Sequence, residues 1–405
     1  MNVLGLVVEY NPFHLGHLHH LTEAKRLAAP EATVAVMSGC FTQRGEPAVT
    51  DKWARAEMAL RHGVDLVLEL PFAWAVRSAP YFASGATRLL AAIGATDICF
   101  GSESGSLAPL QQAAEVLLAE PDEFKQVLQT ELSKGRSFAA AQDQALRAVA
   151  SELPPGVFAS PNNTLGIHYL LAIRQYELPL KAHTITRTSA YDSADAAVNM
   201  PSAKAIRAQL ARGESATGLP SDAADLLQQA IAVGRAPISW DQFALPLLYS
   251  LRQLSSEELS SFPEAGEGLG LRLWQAARQT NNLAELIALV KTRRFTLTRL
   301  QRLLCYVLLN CRKRDLEEIT DELAPPYARV LAMNTANSTI RQMLKDTPLP
   351  VVYAAGTAGF AEQRAKRCLD LDIAATDCYS LAFLQSGLSG LDFTTPVITV
   401  TAGTI

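Results

Sequence analysis

The stretch Asn2–His20, NVLGLVVEYNPFHLGHLHH, joins an apolar run to a turn rich in histidine. Residues 2–9 are apolar nearly throughout and do not alternate, which is typical of a strand buried on both faces. A helical pattern begins at Leu18. A strand that passes through a short turn into a helix favours anion binding, because free backbone N–H groups and the positive end of the helix dipole meet there.

Within this turn, His14 and His17 are three residues apart and therefore lie on one face of the helix start. Gly16 between them removes a side chain where a ligand would approach closely. Two imidazoles on one face can donate hydrogen bonds to a phosphate whose charge grows in a transition state. The alternative is a pair of surface histidines. His20 shares the face of His17, whereas His19 is expected to be solvated.

Four more apolar runs follow, separated by helical patterns, and this alternation predicts a parallel sheet of βαβ units. We therefore expect an α/β, Rossmann-like domain over residues 1–215. The predicted later strands are Thr33–Met37, Asp65–Leu70, Asp97–Phe100 and His183–Arg187. The predicted helices are Leu18–Ala29, Lys52–His62, Ala83–Ile93 and Thr164–Arg174.

After residue 215 the pattern changes to helical spacing. We expect a mainly α-helical C-terminal domain over residues 216–405, with a small strand pair near the end at Val351–Tyr353 and Pro396–Val400.

Several polar residues and one glycine fall where parallel strands end or helices begin, which is where α/β proteins hold ligands. Gly101 follows a strand and suits close approach of an adenosine, or simply a turn. Asn162 and Asn163 either cap a helix or read a nucleotide edge. Arg187 ends a strand and is either a triphosphate contact or a surface charge at the strand end. Further cationic candidates at helix starts are Lys52, Arg55, Lys204 and Arg207, and for Lys52 and Arg55 a solvated helix face is the alternative.

The composition is that of a globular protein: 405 residues, 49% apolar, 19% charged and a net charge of −4. Taken whole, this charge does not indicate a nucleic-acid partner. The six cysteines form no CxxC pair, which argues against a zinc cluster or a disulfide framework. No apolar run reaches the roughly 18 residues that span a bilayer. We expect a cytoplasmic protein with no membrane partner, and its oligomeric state stays open.

One segment departs from this charge balance. Residues 291–314, KTRRFTLTRLQRLLCYVLLNCRKR, hold eight basic residues and no acidic one. Phosphate contacts by such a segment give affinity without reading sequence. Phe295 is an aromatic that could stack on an unpaired base. The alternative is a basic helix surface balanced by acidic neighbours such as Glu317 and Glu318. The candidates for contact with nucleic-acid phosphates are Arg293, Arg294, Arg299 and Arg302.

The HxGH string of residues 14–17 resembles the signature of the nucleotidylyltransferase superfamily, which binds ATP and stabilises attack on its α-phosphate. The motifs taken in order resemble more closely the bacterial tRNA(Met) cytidine acetate ligase family, over nearly the full chain. They are VVEYNPFHLGH, MSGCFTQRGEPA, DKWARAEMAL, SPNNTLGIHYL, SAKAIR and TRLQRLL. Lys204 departs from the hydroxyl residue that the superfamily usually carries there, and Cys40 stands where an amide is as often expected.

This resemblance implies that acetate and ATP give acetyl-adenylate and pyrophosphate, and that the acetyl group passes to N4 of the wobble cytidine of elongator tRNA(Met). His14 and His17 would be the catalytic pair, with no metal site on the protein and Mg²⁺ arriving with ATP. The implied ATP contacts are Val7, Val8, Glu9, Tyr10, Asn11, Pro12, Phe13, His14, Leu15, Gly16, His17, His20, Gly101, Asn162 and Arg187.

Two alternatives stay open. One is a nucleotidylyltransferase that acts on a small phosphate ester, which would have no need for a basic helical appendage. The other is a non-catalytic RNA-binding factor with a relic ATP fold, against which the intact His14, Gly16 and His17 string speaks.

Overall fold

A computed structural model describes residues 1–136, 138–154, 156–158, 160–187, 201–320, 323–385 and 389–400. The strands in these residues are β1 Val3–Val8, β2 Ala32–Ser38, β3 Leu66–Leu70, β4 Asp97–Ser102, β5 Lys181–Thr186, β6 Ala328–Asn334, β7 Val351–Val352 and β8 Ile398–Val400. The helices are α1 Leu15–Ala28, α2 Lys52–Arg61, α3 Phe72–Ala75, α4 Ala79–Ala92, α5 Leu107–Ala119, α6 Asp122–Ser133, α7 Phe138–Val149, α8 Pro161–Gln175, α9 Ala203–Ala211, α10 Ser221–Ala232, α11 Ala244–Gln253, α12 Ser256–Ser260, α13 Leu269–Ala276, α14 Leu283–Val290, α15 Leu297–Leu308, α16 Lys313–Thr320, α17 Ser338–Asp346, α18 Gln363–Ser380 and α19 Leu391–Thr394.

The sheet runs in the order β5-β4-β1-β2-β3, with every pair among these five strands parallel. This is the strand order of Rossmann-type folds, in which ligands bind where the chain reverses direction across the sheet. The reversal lies between β1 and β4. The five predicted strands and the helices between them are confirmed, as is the α/β fold class, although α1, α4 and α8 start three or four residues earlier than predicted.

Both faces of this sheet are covered. The chain moves one way across the sheet through β1, β2 and β3, and then returns past β1 to β4. Because parallel crossovers are right-handed, the return places α4 on the face opposite α1 and α2. The middle strands β2 and β3 are therefore buried along their whole length, which explains their continuous apolar runs.

The helical character predicted for residues 216–405 is confirmed. The two strands predicted near the end of the chain exist, but the prediction that they pair with each other is wrong. β7 and β8 do not bond to each other. Both lie against β6, which itself pairs antiparallel with β3 and extends the N-terminal sheet. The sequence of β6, ARVLAMN, is rich in helix formers and gave no strand signal. The boundary at residue 215 stays a prediction.

A buried ionic cluster ties the end of the chain to this sheet. The Lys52 ammonium at the start of α2 lies 2.8 Å from Glu69 on β3 and 2.9 Å from Asp392 on α19. Arg329 on β6 lies 3.2 Å from the same Asp392 carboxylate. Burial alone would lower the pKa of Lys52, but Asp392 and Glu69 outweigh it and raise that pKa. Lys52 therefore serves the fold and is neither a ligand contact nor a solvated residue.

Arg55, one turn along α2, is also fully buried. Its guanidinium donates to the backbone carbonyls of Glu9, Ser38 and Gly39, so it joins the ends of β1 and β2. Arg55 is therefore neither a ligand contact nor part of a solvated helix face.

Within the described residues, no helix combines the length and apolarity needed to cross a lipid bilayer.

Replacing Lys52 with Met should destabilise the fold by about 3–5 kcal/mol, because it leaves two buried carboxylates with too little compensating charge. The urea midpoint of unfolding, followed by circular dichroism, measures this. Arg61→Met, which breaks an exposed pair with Glu57 on the same helix, is the matched control and should change stability by less than about 0.5 kcal/mol. Equal midpoints for the two variants would contradict the role given to the cluster.

Candidate active site

The site begins at the start of α1, where His14 is the N-cap residue. Its Nδ1 accepts a hydrogen bond from the Gly16 N–H at 3.0 Å, and the His14 N–H donates to Nδ1 of His17 at 3.3 Å. The two rings stack with centroids 3.8 Å apart. This reciprocal capping fixes both imidazoles in one orientation. The structure thus brings together the two histidines that the sequence predicted to share a face.

Gly16 has a different role from the one predicted. A Cβ atom built at Gly16 would lie 2.8 Å from Cε1 of His14 and 3.0 Å from its Nδ1. Any side chain there would push the imidazole out of its capping position. Gly16 therefore makes room for the His14 ring.

The predicted free amides of this helix start are already bonded within the chain. The Leu15 N–H donates to Gly218, and those of His17 and Leu18 donate to the His14 carbonyl. The groups left open are ring nitrogens. Among the described residues, Nε2 of His14 and Nε2 of His20 are buried without a hydrogen-bond partner. Because Nδ1 of His14 accepts, the neutral ring carries its proton on Nε2, which is then a free donor.

These imidazoles are neutral at physiological pH. Burial lowers the pKa of His14 to about 4, and Arg187 and Arg207 contribute to this lowering. Burial also lowers the pKa of His20 to about 4, and it holds that of His17 well below the usual value. The positive charge of the site therefore comes from the arginines.

The opposite wall of the site is formed by β4 and β5. Gly101 pairs with Ile185, and a Cβ built at Gly101 would lie 3.9 Å from Cβ of Arg187 and 4.0 Å from Cδ2 of His20. These are ordinary contact distances. The missing side chain leaves an opening between His20 and Arg187, at the reversal point of the sheet. Three predicted ATP contacts therefore converge there.

The two adjacent asparagines differ in exposure and partners. Asn162 is half-buried and its Oδ1 accepts from Arg187 at 2.8 Å. Asn163 is buried and its Oδ1 accepts from the backbone N–H of Ser104. The Glu103 carboxylate binds both backbone amides of this helix start. Sequence reasoning missed Glu103, because nothing local links it to residues nearly 60 positions away.

The turn between β1 and α1 is held from all sides. Asn11 is buried and its Oδ1 accepts from the Val49 N–H at 2.7 Å, while its carbonyl accepts from Arg207 at 2.9 Å. The rings of Tyr10 and Phe13 are buried beside His17. Glu9 accepts from the Gln43 N–H, and burial raises its pKa. These side chains shape the turn, and their predicted contacts with ATP stay predictions.

The basic segment is more tightly bonded than its sequence implies. Arg302 is buried, with its Nε 2.7 Å from Glu264, and Arg299 lies 2.8 Å from Glu267. Arg293 and Arg294 are exposed, although Arg294 approaches Glu267 at 3.6 Å. Phe295 is only 8% exposed and does not offer its ring face to a base. Gly45, in the loop between β2 and α2, packs against the α15 backbone at Arg302.

Two further observations concern metal ligands and the basic residues at the start of α9. Among the described residues, no cluster of three or more histidine, cysteine, aspartate or glutamate side chains is placed to hold a metal ion. Ser202 caps α9, and Arg207 on that helix reaches the site while Lys204 is exposed. Arg207 also pairs with Glu46 at 2.8 Å.

A nucleotide-binding sheet with a capped histidine pair at its reversal point defines a nucleotidyl transferase, and comparison with known proteins agrees. Residues 1–389 match the family model described as HIGH Nucleotidyl Transferase. The tRNA(Met) cytidine acetate ligase of Acetivibrio thermocellus is 38% identical, over 98% of this chain and all of that protein. That of Syntrophomonas wolfei is 40% identical, over 98% of this chain and 99% of the relative.

Solved structures give the same result. The crystal structure of Thermotoga maritima TmcAL bound with alpha-thio ATP superposes with a TM-score of 0.91 at 35% identity, covering 99% of this chain and 100% of that one. Its apo form gives a TM-score of 0.92 at 36% identity, with the same coverage. The chain belongs to the tRNA(Met) cytidine acetate ligase family.

Proton titration tests the electrostatics of the site. The ring resonances of His14, His20 and His168, each with a pKa lowered to about 4 chiefly by burial, should titrate near that pH in the folded protein. In the urea-unfolded chain they should titrate near about 6.5. Because the unfolded chain takes up these protons at the higher pH, the free energy of unfolding should fall as pH drops from about 6.5 towards 4.

Histidine NMR and urea unfolding at several pH values provide both measurements. His168→Gln removes one of the three groups without altering the start of α1, and should make the fall in stability shallower. A folded-state midpoint near 6.5 for His14 would show that its imidazole is not held neutral.

Proposed function

We propose that the protein is an ATP-dependent, AMP-forming acetate ligase that acetylates N4 of the wobble cytidine of elongator tRNA(Met). The observation that carries the proposal is the fixed His14 donor at the reversal point of the sheet, facing a site whose charge comes from Arg187 and Arg207. Family membership supports the same reaction. An RNA substrate of this kind also implies a cytoplasmic enzyme.

In the first step an acetate oxygen attacks the α-phosphorus of ATP, and the bond to the bridging oxygen of pyrophosphate breaks. Charge grows on the non-bridging oxygens of the α-phosphate, and the Nε2–H of His14 is a preorganised donor for them. His17 holds the His14 backbone through its Nδ1 and so positions the pair. ATP enters as its magnesium complex, with the ion held mainly by the phosphates.

In the second step N4 of the cytidine attacks the acetyl carbonyl carbon of acetyl-adenylate. The C–O bond to AMP breaks, AMP leaves with the bonding electrons, and N4 loses one proton. Burial raises the pKa of the Cys40 thiol to about 12, so it is protonated at pH 7 and unsuited to carry an acyl group. Transfer is therefore proposed to be direct.

We place the nucleotide beside Gly101. The opening there lies between Arg187, which Asn162 holds at 2.8 Å, and His20, whose buried Nε2 has no partner in the described residues. An unpartnered buried donor or acceptor costs about 1–3 kcal/mol unless a ligand supplies its partner. We assign Asn162, and not the buried Asn163, to the ATP site. We assign ATP chemistry to residues 1–215 and tRNA binding mainly, though not solely, to residues 216–405.

Labelled acetate separates the proposal from its alternatives. The protein is incubated with ATP and labelled acetate, with and without bulk tRNA, and the RNA is digested to nucleosides. ATP-dependent acetylcytidine supports the ligase. Pyrophosphate release that needs a phosphorylated small molecule instead of acetate indicates a small-molecule nucleotidylyltransferase. No ATP turnover under any condition indicates an RNA-binding factor.

Removing the His14 donor should lower acetate-dependent pyrophosphate exchange by about 100- to 1,000-fold, the usual cost of one transition-state donor. His14→Asn is the sharpest variant, because asparagine is a good N-cap residue and keeps α1 in place while Nε2 is lost. Affinity for tRNA should be unchanged. His19→Ala, an exposed histidine on the same helix, is the matched control. Full exchange activity in His14→Asn would remove His14 from the reaction.

Within the basic segment, Arg293 and Arg294 are the exposed candidates for phosphate binding. Arg293→Ala combined with Arg294→Ala should weaken tRNA binding and lower the slope of log affinity against log salt by about 0.7–0.9 for each phosphate that is no longer neutralised. The melting temperature should not change. Arg302→Ala should instead destabilise the fold, because it strips Glu264 of its buried partner. A wild-type salt slope in the double variant would show that Arg293 and Arg294 do not bind tRNA phosphates.

A further inference from the structure

The described residues also form a concavity away from the histidine site. It is a groove of about 850 Å³ between one wall made by α4 and α8 and another made by α12, α15, α16 and the loop before α13. Its volume is within the range of sites that hold sizeable ligands. Nothing in the proposed chemistry of the first step uses it.

The described residues give the groove a net positive charge. Four basic and two acidic side chains among them line it: Arg77, Arg88, Arg299, Lys313, Glu264 and Glu317. Arg299 pairs with Glu264, and Lys313 lies 3.6 Å from Glu317. Arg77, by contrast, has no carboxylate within ion-pair distance among the described residues. Its Nη1 donates to the Thr320 hydroxyl at 2.8 Å.

An exposed aromatic ring accompanies this charge. The Arg77 guanidinium lies 3.5 Å from the ring centroid of Tyr81, and Tyr81 is 45% exposed. Deeper in the groove, Arg88 lies over the ring of Tyr176. His168 also lines the groove, is nine-tenths buried, and its Nδ1 has no hydrogen-bond partner among the described residues. This unpaired ring nitrogen is available for a hydrogen bond with an occupant.

One residue links the groove to the histidine site. The backbone N–H of Gln43 donates to Glu9 at the end of β1, and its side-chain amide donates to the Arg77 carbonyl, both at 2.7 Å. Gln43, in the loop that follows β2, therefore joins the backbone of Arg77 to Glu9, which precedes the turn that carries His14.

We propose that this groove binds a single-stranded segment of RNA, with an unpaired base stacked on Tyr81 and Arg77 on the adjoining phosphate. Stacking on an aromatic ring combined with a cationic side chain is how proteins hold unpaired nucleotides. The proposal rests on the proposed function for the identity of the RNA, namely the substrate tRNA. A protein with acidic side chains would match the charge but would not need the exposed ring.

Two binding probes test the groove: a fluorescent oligouridine of about ten nucleotides, within the site sizes of single-strand binders, and an unmodified tRNA(Met) transcript. Tyr81→Ala should weaken oligouridine binding on the order of tenfold to a hundredfold, since stacking carries about that much affinity per base. Tyr81→Phe keeps the ring and should bind as the wild type does. Arg77→Gln should lower the salt slope by about 0.7.

Matched controls lie outside the groove. Tyr249→Ala removes an exposed tyrosine from α11, and Arg278→Gln removes an arginine that stacks on Trp274. Neither should alter RNA binding. Acetate-dependent pyrophosphate exchange without RNA should be the same in all five variants, because none of these residues lies in the histidine site.

The outcomes separate the groove from the reaction. If Tyr81→Ala and Arg77→Gln bind RNA with wild-type affinity, the proposal that the groove binds RNA is wrong, even if acetylcytidine forms. Equal losses of RNA affinity in Tyr81→Ala and Tyr249→Ala also contradict the proposal. Oligouridine binding that depends on Tyr81 supports it even if no acetylcytidine forms, in which case the proposed function fails alone. If the wild type binds neither RNA, both fail.

Discussion

The hydrogen bond from the Gly16 N–H to Nδ1 of His14 is the constraint on which the site depends. It makes His14 the cap of α1, so the ring cannot rotate without leaving a helix amide unbonded. It also fixes the tautomer, because an Nδ1 that accepts leaves the proton on Nε2. The absence of a side chain at Gly16 is what allows the ring to come this close. Helix capping and catalytic preorganisation are therefore one interaction.

In this arrangement the histidines set the direction of the hydrogen bonds and the arginines supply the positive charge. The buried imidazoles are neutral and donate along fixed lines, while Arg187 and Arg207 supply the positive field. A protonated His14 would lie near two arginines, and like charges in a buried site repel strongly. Neutral donors avoid that repulsion and still strengthen in a site from which water is excluded. The reversal of strand direction between β1 and β4 supplies the opening in which both kinds of group meet.

The sequence predicted whatever depends on neighbours along the chain. The strand, turn and helix of residues 2–28 follow from an apolar run and a helical pattern, and the histidine spacing follows from the helix repeat. The partners of Lys52 could not be predicted in this way, because Asp392 lies 340 positions away. β6 was missed since its residues favour a helix, and only the open edge of β3 makes it a strand. The role of Arg55 depends on three carbonyls that the fold brings together.

The same reasoning changes how charge is interpreted. Residues 291–314 hold eight basic side chains, yet five of them form ion pairs with glutamates from before or after the segment. A cluster of charge in the sequence is therefore not a cluster of free charge in space. The converse also holds: Arg77 stands alone in the sequence but faces a groove without a carboxylate partner in the described residues. What attracts a polyanion is uncompensated charge, and its location is set by which elements the sheet topology brings together.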